Sequence, residues 1–276
     1  MRSIAVRVIS IALVLGACSG PGAGSATPGG PSGSAAGGGT ELTIFGAASL
    51  KSVLEQARTA FEAANPGTTL VVATDSSSAL ETQIEQGAPA DVFLSADTTN
   101  PQKLVDGGFA EGSAVAFAGN ELTIVVPTDN PAGIESWQDL AEDGLKVIAA
   151  GEEVPITKYA TQLVDKLGAQ GDAPAGFATA YAANIVSREE NVKALIAKIE
   201  LGQGDAGIVY VTDAAASTKV STIAVPDAAN VPATYAGVVV KASKHVPAAQ
   251  AFLTWFAGPD GQAILASFGF LPPPAS

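Results

Sequence analysis

Cysteine, histidine and methionine occur once each in the 276 residues, and charged side chains make up only 15% of them. The lone cysteine, Cys18, excludes internal disulfides, Cys-x-x-Cys redox chemistry and cysteine zinc sites together. With a single histidine, His245, a metal centre would need carboxylates alone, and no EF-hand spacing occurs. His245 follows Lys244 and precedes Val246-Pro247, which reads as a solvated connection; without a Gly-x-Ser-x-Gly elbow there is no basis for a Ser-His-Asp triad. A Walker loop and a dinucleotide fingerprint are also missing. Basic residues are scarce: 14 Lys and Arg stand against 27 Asp and Glu, a net charge of −13. Such a surface repels polyanions, so no nucleic-acid partner is expected.

Long apolar runs are equally rare. The one candidate is the leader, where Arg2 and Arg7 precede a ten-residue, mainly apolar stretch from Val8 to Ala17. That is too short for a mature membrane span and fits a secretory signal. Leu15-Gly16-Ala17-Cys18 resembles the bacterial lipoprotein cleavage box, which implies removal of residues 1–17 and lipidation of Cys18. Cleavage would take away two bases and no acid, making the mature chain more acidic still. The protein is expected to be extracytoplasmic and lipid-anchored to the cell membrane. Residues 19–39 are almost only Gly, Ser, Pro, Ala and Thr and cannot form a core, so 18–40 reads as a lipidated tether. As a flexible coil it would reach roughly 25 Å.

The remainder is 47% hydrophobic when averaged with the leader, enough for one large domain or two ordinary ones. Leu42 to Phe45 reads as a buried strand, and Leu50, Val53, Leu54, Ala57 and Phe61 recur at helical spacing until Asn65-Pro66-Gly67 stops them. Thr69–Ala73 and Val92–Leu94 are strand-like, with a short helix at Leu80 and Ile84 between them, so strand, helix and strand predict a parallel sheet. Further strands are expected at 122–126, 147–149, 185–186, 208–211 and 235–240, with helices at 157–167 and 192–201 and two more after residue 247, parted by Gly258-Pro259.

Small or hydroxyl residues stand where strands give way to helices. Ser49 precedes the helix opening at Leu50, Ser76-Ser77-Ser78 follows a strand, and Pro155-Ile156-Thr157 leads into another helical face. Singly, each reads as a cap. Together they point to a site, because in open α/β sheets ligands sit beyond the strand carboxyl ends, where helix starts offer unpaired N–H groups and partial positive charge. An acidic body that binds an anion must do so with such neutral dipoles.

Ala47-Ala48-Ser49-Leu50, Ser76-Ser77-Ser78-Ala79-Leu80, Gly87-Ala88-Pro89-Ala90-Asp91-Val92-Phe93, Gly119-Asn120 and Gly207-Ile208-Val209-Tyr210 with Thr212-Asp213 resemble the molybdate-binding proteins of bacterial ABC importers. The closing Gly258-Pro259-Asp260-Gly261-Gln262 and Phe268-Gly269-Phe270 resemble the end of this group more widely, and the likeness covers residues 41–271. It implies a periplasmic-binding-protein-like α/β fold of two lobes, each a mostly parallel sheet flanked by helices, joined by two crossover strands. Lobe I would take 41–120 and 235–276, and lobe II 121–234. Position by position, Ser49 and Ser77 would bind molybdate or tungstate through hydroxyl and N–H, Ile156 and Val192 through N–H, and Tyr210 through its phenol. The resemblance further implies no enzymatic activity, no cofactor, a monomer, and delivery to a membrane ABC permease.

The chain departs from the family pattern at Ile156-Thr157, where the family often has Ala-Gly, and at Asp75, a carboxylate directly before the serine run. Facing inward, Asp75 would repel molybdate or accept a phosphate proton; as a cap or in solvent it would do neither. Ser187 and Glu190 form a capping-box pattern that competes with Asn191 for the helix before Val192, and Asn191 is the expected cap. Rival readings are a receptor for another oxyanion such as phosphate or sulfate, and a Ser-Lys hydrolase using Ser49 and Lys51.

Overall fold

The computed structural model describes residues 39–274, so the leader, Cys18 and the tether up to residue 38 lie outside the described residues. The chain first lays down β1 (Thr40–Ala47), α1 (Lys51–Ala64), β2 (Thr68–Asp75), α2 (Ser77–Glu85), β3 (Val92–Ser95), α3 (Thr99–Asp106) and β4 (Ala110–Asn120). It continues with β5 (Leu122–Pro127), β6 (Val147–Ala150), α4 (Pro155–Gly168), α5 (Phe177–Ala183), β7 (Ile185–Glu189), α6 (Val192–Glu200), β8 (Ala206–Tyr210), α7 (Val211–Ala215) and β9 (Val220–Ile223). Then β10 (Ala233–Val240), α8 (Val246–Ala257) and α9 (Pro259–Ser267) complete it.

Two five-stranded sheets result, ordered β2-β1-β3-β10-β4 and β7-β6-β8-β5-β9. Parallel pairing joins β1 to β2 and β3, and β6 to β7 and β8. In each sheet one strand runs against the rest: β10 between β3 and β4, and β5 between β8 and β9. Both reversed strands are the ones by which the chain enters a sheet from the other lobe. The lobes are therefore mostly parallel, with the crossover strand as the exception. A hydrophobic run carries no direction, so this exception is set by the connection.

Apolar periodicity explains the flanking layers. Helix α1 buries Val53, Leu54, Ala57 and Phe61 on one face, and the Phe61 ring meets Phe252 of α8 edge-on at 5.1 Å. Helix α4 buries Ile156, Tyr159, Leu163, Val164 and Leu167. Five elements escape the sequence pattern. Helices α3, α5 and α7 are only eight, seven and five residues long, β4 is rich in Ala and Gly, and β9 is a half-exposed edge strand. Val211, read as a strand end, instead opens α7.

The first crossing is short: β4 ends at Asn120 and β5 begins at Leu122. The carboxyl-terminal segment braces it, since Gly119 and Leu271 exchange two backbone hydrogen bonds of 2.7 and 2.9 Å. A side chain at Gly119 would put Cβ 2.9 Å from the Pro272 carbonyl oxygen, so only glycine lets the segment lie this close.

Candidate functional site

Strand ends of both lobes feed turns and helix starts that face one cleft. There a cavity of about 220 Å³, mouth included, is lined by Ser49, Ser76 and Ser77 of the first lobe and by Ile156, Asn191, Val192 and Tyr210 of the second. Alanine, valine and proline supply the rest, and none of the twelve lining residues is charged. Much of that volume is open mouth, so the facing walls of the two lobes stand close together here. Larger hollows lie elsewhere. One of 370 Å³ is walled mainly by side chains of the second lobe around Tyr181 and Arg188, and one of 870 Å³ is a surface depression near Thr128 and Lys219. Neither joins the two lobes.

Each of the five expected residues, Ser49, Ser77, Ile156, Val192 and Tyr210, borders this cavity. Ser76 caps α2, its Oγ accepting the Ala79 N–H at 3.2 Å. Ser77 is thereby left as the first helical residue, with no intrahelical acceptor for its own N–H. Its Oγ accepts the Ala96 N–H at 3.0 Å, so its proton remains for another partner. Ser49 does not cap α1, which has no side-chain cap; it sits in the 3-10 turn Ala48–Leu50 with Oγ 3.0 Å from Tyr235 Oη. Sequence alone gives Tyr235 only as a strand residue, because its link to Ser49 spans 186 positions.

The second lobe contributes two helix starts and a phenol. Pro155 occupies the first turn of α4 and lacks an N–H, so Ile156 offers the first one, with no intrahelical acceptor. Replacing Ala-Gly by Ile156-Thr157 leaves that amide available: the Ile156 side chain is buried and Thr157 Oγ1 donates back to the Ala150 carbonyl at 3.0 Å. Asn191 caps α6 through Oδ1, which accepts the Ala194 N–H at 3.0 Å, so Val192 is the first helical residue. Ser187 instead donates to Glu189 and accepts from Lys198. Tyr210 ends β8 fully buried, and its phenol has no hydrogen-bond partner among the described residues. Burial, then the neighbouring Tyr235, Tyr159, Asp213 and Asp97, hold that phenol well above its ordinary pKa, so it stays a neutral donor.

Asp75 does not line the cavity. Its Oδ1 accepts the Ser76 N–H at 2.7 Å and Asn191 Nδ2 at 3.1 Å. The carboxylate thus binds a local N–H and bridges the cleft to the cap of α6. Lys158 of α4 makes another crossing contact, donating to Thr99 Oγ1 at 2.8 Å. The cation next to Val192 is committed elsewhere: Lys193 Nζ lies 2.7 Å from Oδ1 of the fully buried Asp213. Burial raises the Asp213 pKa, and the attraction of Lys193 opposes that rise without cancelling it. Lys51, the partner needed for Ser-Lys chemistry, is exposed on α1 while Ser49 engages Tyr235, and His245 is exposed as well.

Two lobes joined by crossing strands, with helix starts turned into the gap, define a ligand receptor of periplasmic-binding-protein architecture. The chain belongs to the bacterial extracellular solute-binding proteins, whose family pattern it matches over residues 42–271. It is 35% identical over 273 residues to the molybdate-binding protein ModA of Mycobacterium tuberculosis, covering 98% of each chain. It is 31% identical to the putative ABC transporter substrate-binding lipoprotein YvgL of Bacillus subtilis, covering 83% of this chain and 85% of that one. Among solved structures, the periplasmic molybdate-binding protein of Azotobacter vinelandii superposes with a TM-score of 0.70 at 28% identity, over 84% of this chain and 99% of that one.

Two outcomes follow from the Asp75–Asn191 and Lys193–Asp213 pairs. Asn191→Asp keeps a good cap but sets a second carboxylate against Asp75, replacing a charge-assisted bond of about 1.5–3 kcal/mol by repulsion. Small-angle scattering should show a larger radius of gyration than the parent's; an unchanged radius refutes the bridge. For Asp213, a folded pKa above the ordinary value means that the native state holds this proton more tightly than the unfolded chain. Its contribution to stability therefore falls as pH rises from the ordinary carboxylate range through the raised folded pKa. Urea unfolding should show that decline in the parent and not in Asp213→Asn; parallel curves exclude it.

Proposed function

We propose that this protein is a lipid-anchored receptor that captures molybdate, and tungstate with it, between its lobes and hands it to an ABC permease. The observation that carries the reading is the set of uncharged donors from both lobes around one small cavity, with the Tyr210 phenol, unpartnered among the described residues, in that set. The molybdate-binding relatives support it independently. Ser49 and Ser77 would each donate through hydroxyl and backbone N–H, Ile156 and Val192 through N–H, and Tyr210 through its phenol. Asp75 lies outside the cavity lining, so its carboxylate is not at hand to accept a phosphate proton. Binding would tie lobe I (41–120 and 235–276) to lobe II (121–234) in a hinge closure, because each lobe supplies only part of the donor set. The role is capture rather than catalysis, and a single chain carries the whole donor set. Cleavage after Ala17 would leave lipidated Cys18 on the tether, the kind of anchoring that the name of the Bacillus relative describes.

Thermal unfolding of the purified protein with molybdate, tungstate, sulfate or phosphate tests the ligand. An anion at 100 times its Kd adds about 2.7 kcal/mol to stability. Molybdate and tungstate should raise the melting temperature, and a response to phosphate or sulfate alone would sink the reading. Ser77→Ala and Tyr210→Phe should each weaken binding, the former by roughly 1.5–3 kcal/mol because a donor to a charged acceptor is lost; unchanged affinity in both would relocate the site. Cys18→Ala should move the protein from the membrane to the soluble fraction of cells, and retention at the membrane contradicts the anchor.

A further inference from the structure

A serine hydroxyl has one proton and two lone pairs, so it can face a guest as donor or as acceptor. A bare oxyanion needs donors only. For Ser77 the matter is settled by main chain: the Ala96 N–H can only donate, so it occupies a lone pair of Oγ and leaves the proton for the cavity. Ser49 has no such main-chain partner. Its neighbour, Tyr235 Oη at 3.0 Å, is itself able to donate or accept.

Asn120 removes the ambiguity. Its Oδ1 accepts the Glu121 N–H at 3.0 Å, which fixes the amide so that Nδ2 is the end turned inward. Nδ2 donates to Thr212 Oγ1 at 2.9 Å and, over a longer 3.4 Å, to Tyr235 Oη. An amide NH2 cannot accept, so Asn120 only donates to the phenol, and among the described residues Ser49 Oγ is the one acceptor within reach of the buried phenol proton; the phenol therefore takes its hydrogen bond from Asn120 and gives its own proton to Ser49 Oγ. The Ser49 proton is then left for the cavity. Asn120, Tyr235 and Ser49 are all buried, so water does not compete for these bonds.

We propose that Asn120 and Tyr235 are positioning residues that hold the Ser49 hydroxyl as a donor toward the bound oxyanion. The inference rests on the receptor reading given above. It places the relay at the crossings between the lobes: Asn120 closes β4 at the first, and Tyr235 stands in β10 just beyond the second. Seen from the cavity, both serines of the first lobe carry the same polarity, one set by a backbone N–H and the other by an asparagine acting through a phenol. A proton-bearing anion gains nothing from such a pair, whereas a fully deprotonated one is met by two donors.

A double-mutant cycle, read by calorimetric titration of the purified protein with sodium molybdate, separates this relay from a packing role. Tyr235→Phe keeps the ring and should raise Kd about three- to tenfold, as loss of one hydrogen bond does. In a Ser49→Ala background the same change should cost less than about twofold, because Tyr235 then has nothing to orient. Equal losses in both backgrounds, or no loss in either, overturn the relay. If Tyr235→Phe does not fold, as judged by its melting curve without ligand, Asn120→Ala is carried through the same cycle with the same criteria. A parent protein that does not bind molybdate removes the ligand reading and the relay together; a binding parent with an additive cycle removes the relay alone.

Discussion

A doubly charged guest would have to shed its water inside a protein whose own net charge is strongly negative, and the cavity offers only fixed dipoles to receive it. Desolvating an ion costs many kcal/mol unless hydrogen bonds replace the lost hydration. Helix starts meet that need because their first N–H groups are unpaired by geometry and already point one way. Helices α2, α4 and α6 begin at the cavity wall, the first from one lobe and the other two from the opposite one. What the fold must guarantee is the placement of these starts. Parallel strands do so, since every parallel strand delivers its carboxyl end, and hence the next helix start, to the same edge of its sheet.

The caps then decide which N–H groups stay free. Ser76 takes the Ala79 N–H and Asn191 takes the Ala194 N–H, in each case the third helical residue, so the first residue of each helix keeps its own donor. Asn191 has a second task. Its amide end reaches Asp75 in the other lobe, so the group that organises α6 also joins the two halves. A carboxylate that sequence alone leaves free to disturb the site is thereby engaged in a hydrogen bond across the cleft.

Much of this arrangement can be read along the chain, and the rest cannot for definite reasons. Strands β1, β3, β6 and β8 and helices α1, α4 and α6 declare themselves through apolar runs and helical periodicity, because each is buried on one or both faces. Strand β9 is half-exposed, and α5 and α7 are too short to show a period. At the site, Ser49 and Ser77 stand out as hydroxyls at strand-to-helix junctions. Asn120 and Tyr235 do not, since their importance lies in contacts with partners more than 90 positions away, at Thr212 and Ser49. Ile156 is marked only by the Pro155 junction it follows, and Val192 shows only by resemblance, because a backbone N–H leaves no trace in residue type.

The Lys193–Asp213 pair explains how a lysine can adjoin such a site without entering it. Lys193 directly follows Val192, and a free ammonium there would add a full charge to the field of the helix start. At 2.7 Å from a carboxylate buried beneath it, that charge is largely neutralised. A guest held by dipoles alone is bound by many moderate interactions that are lost one after another as the lobes part. One held by an ion pair would keep its strongest contact on a single lobe even after opening. For a carrier that must surrender its cargo, the buried Asp213 is as relevant as the donors themselves, because it keeps the lysine beside Val192 from becoming the contact that does not let go.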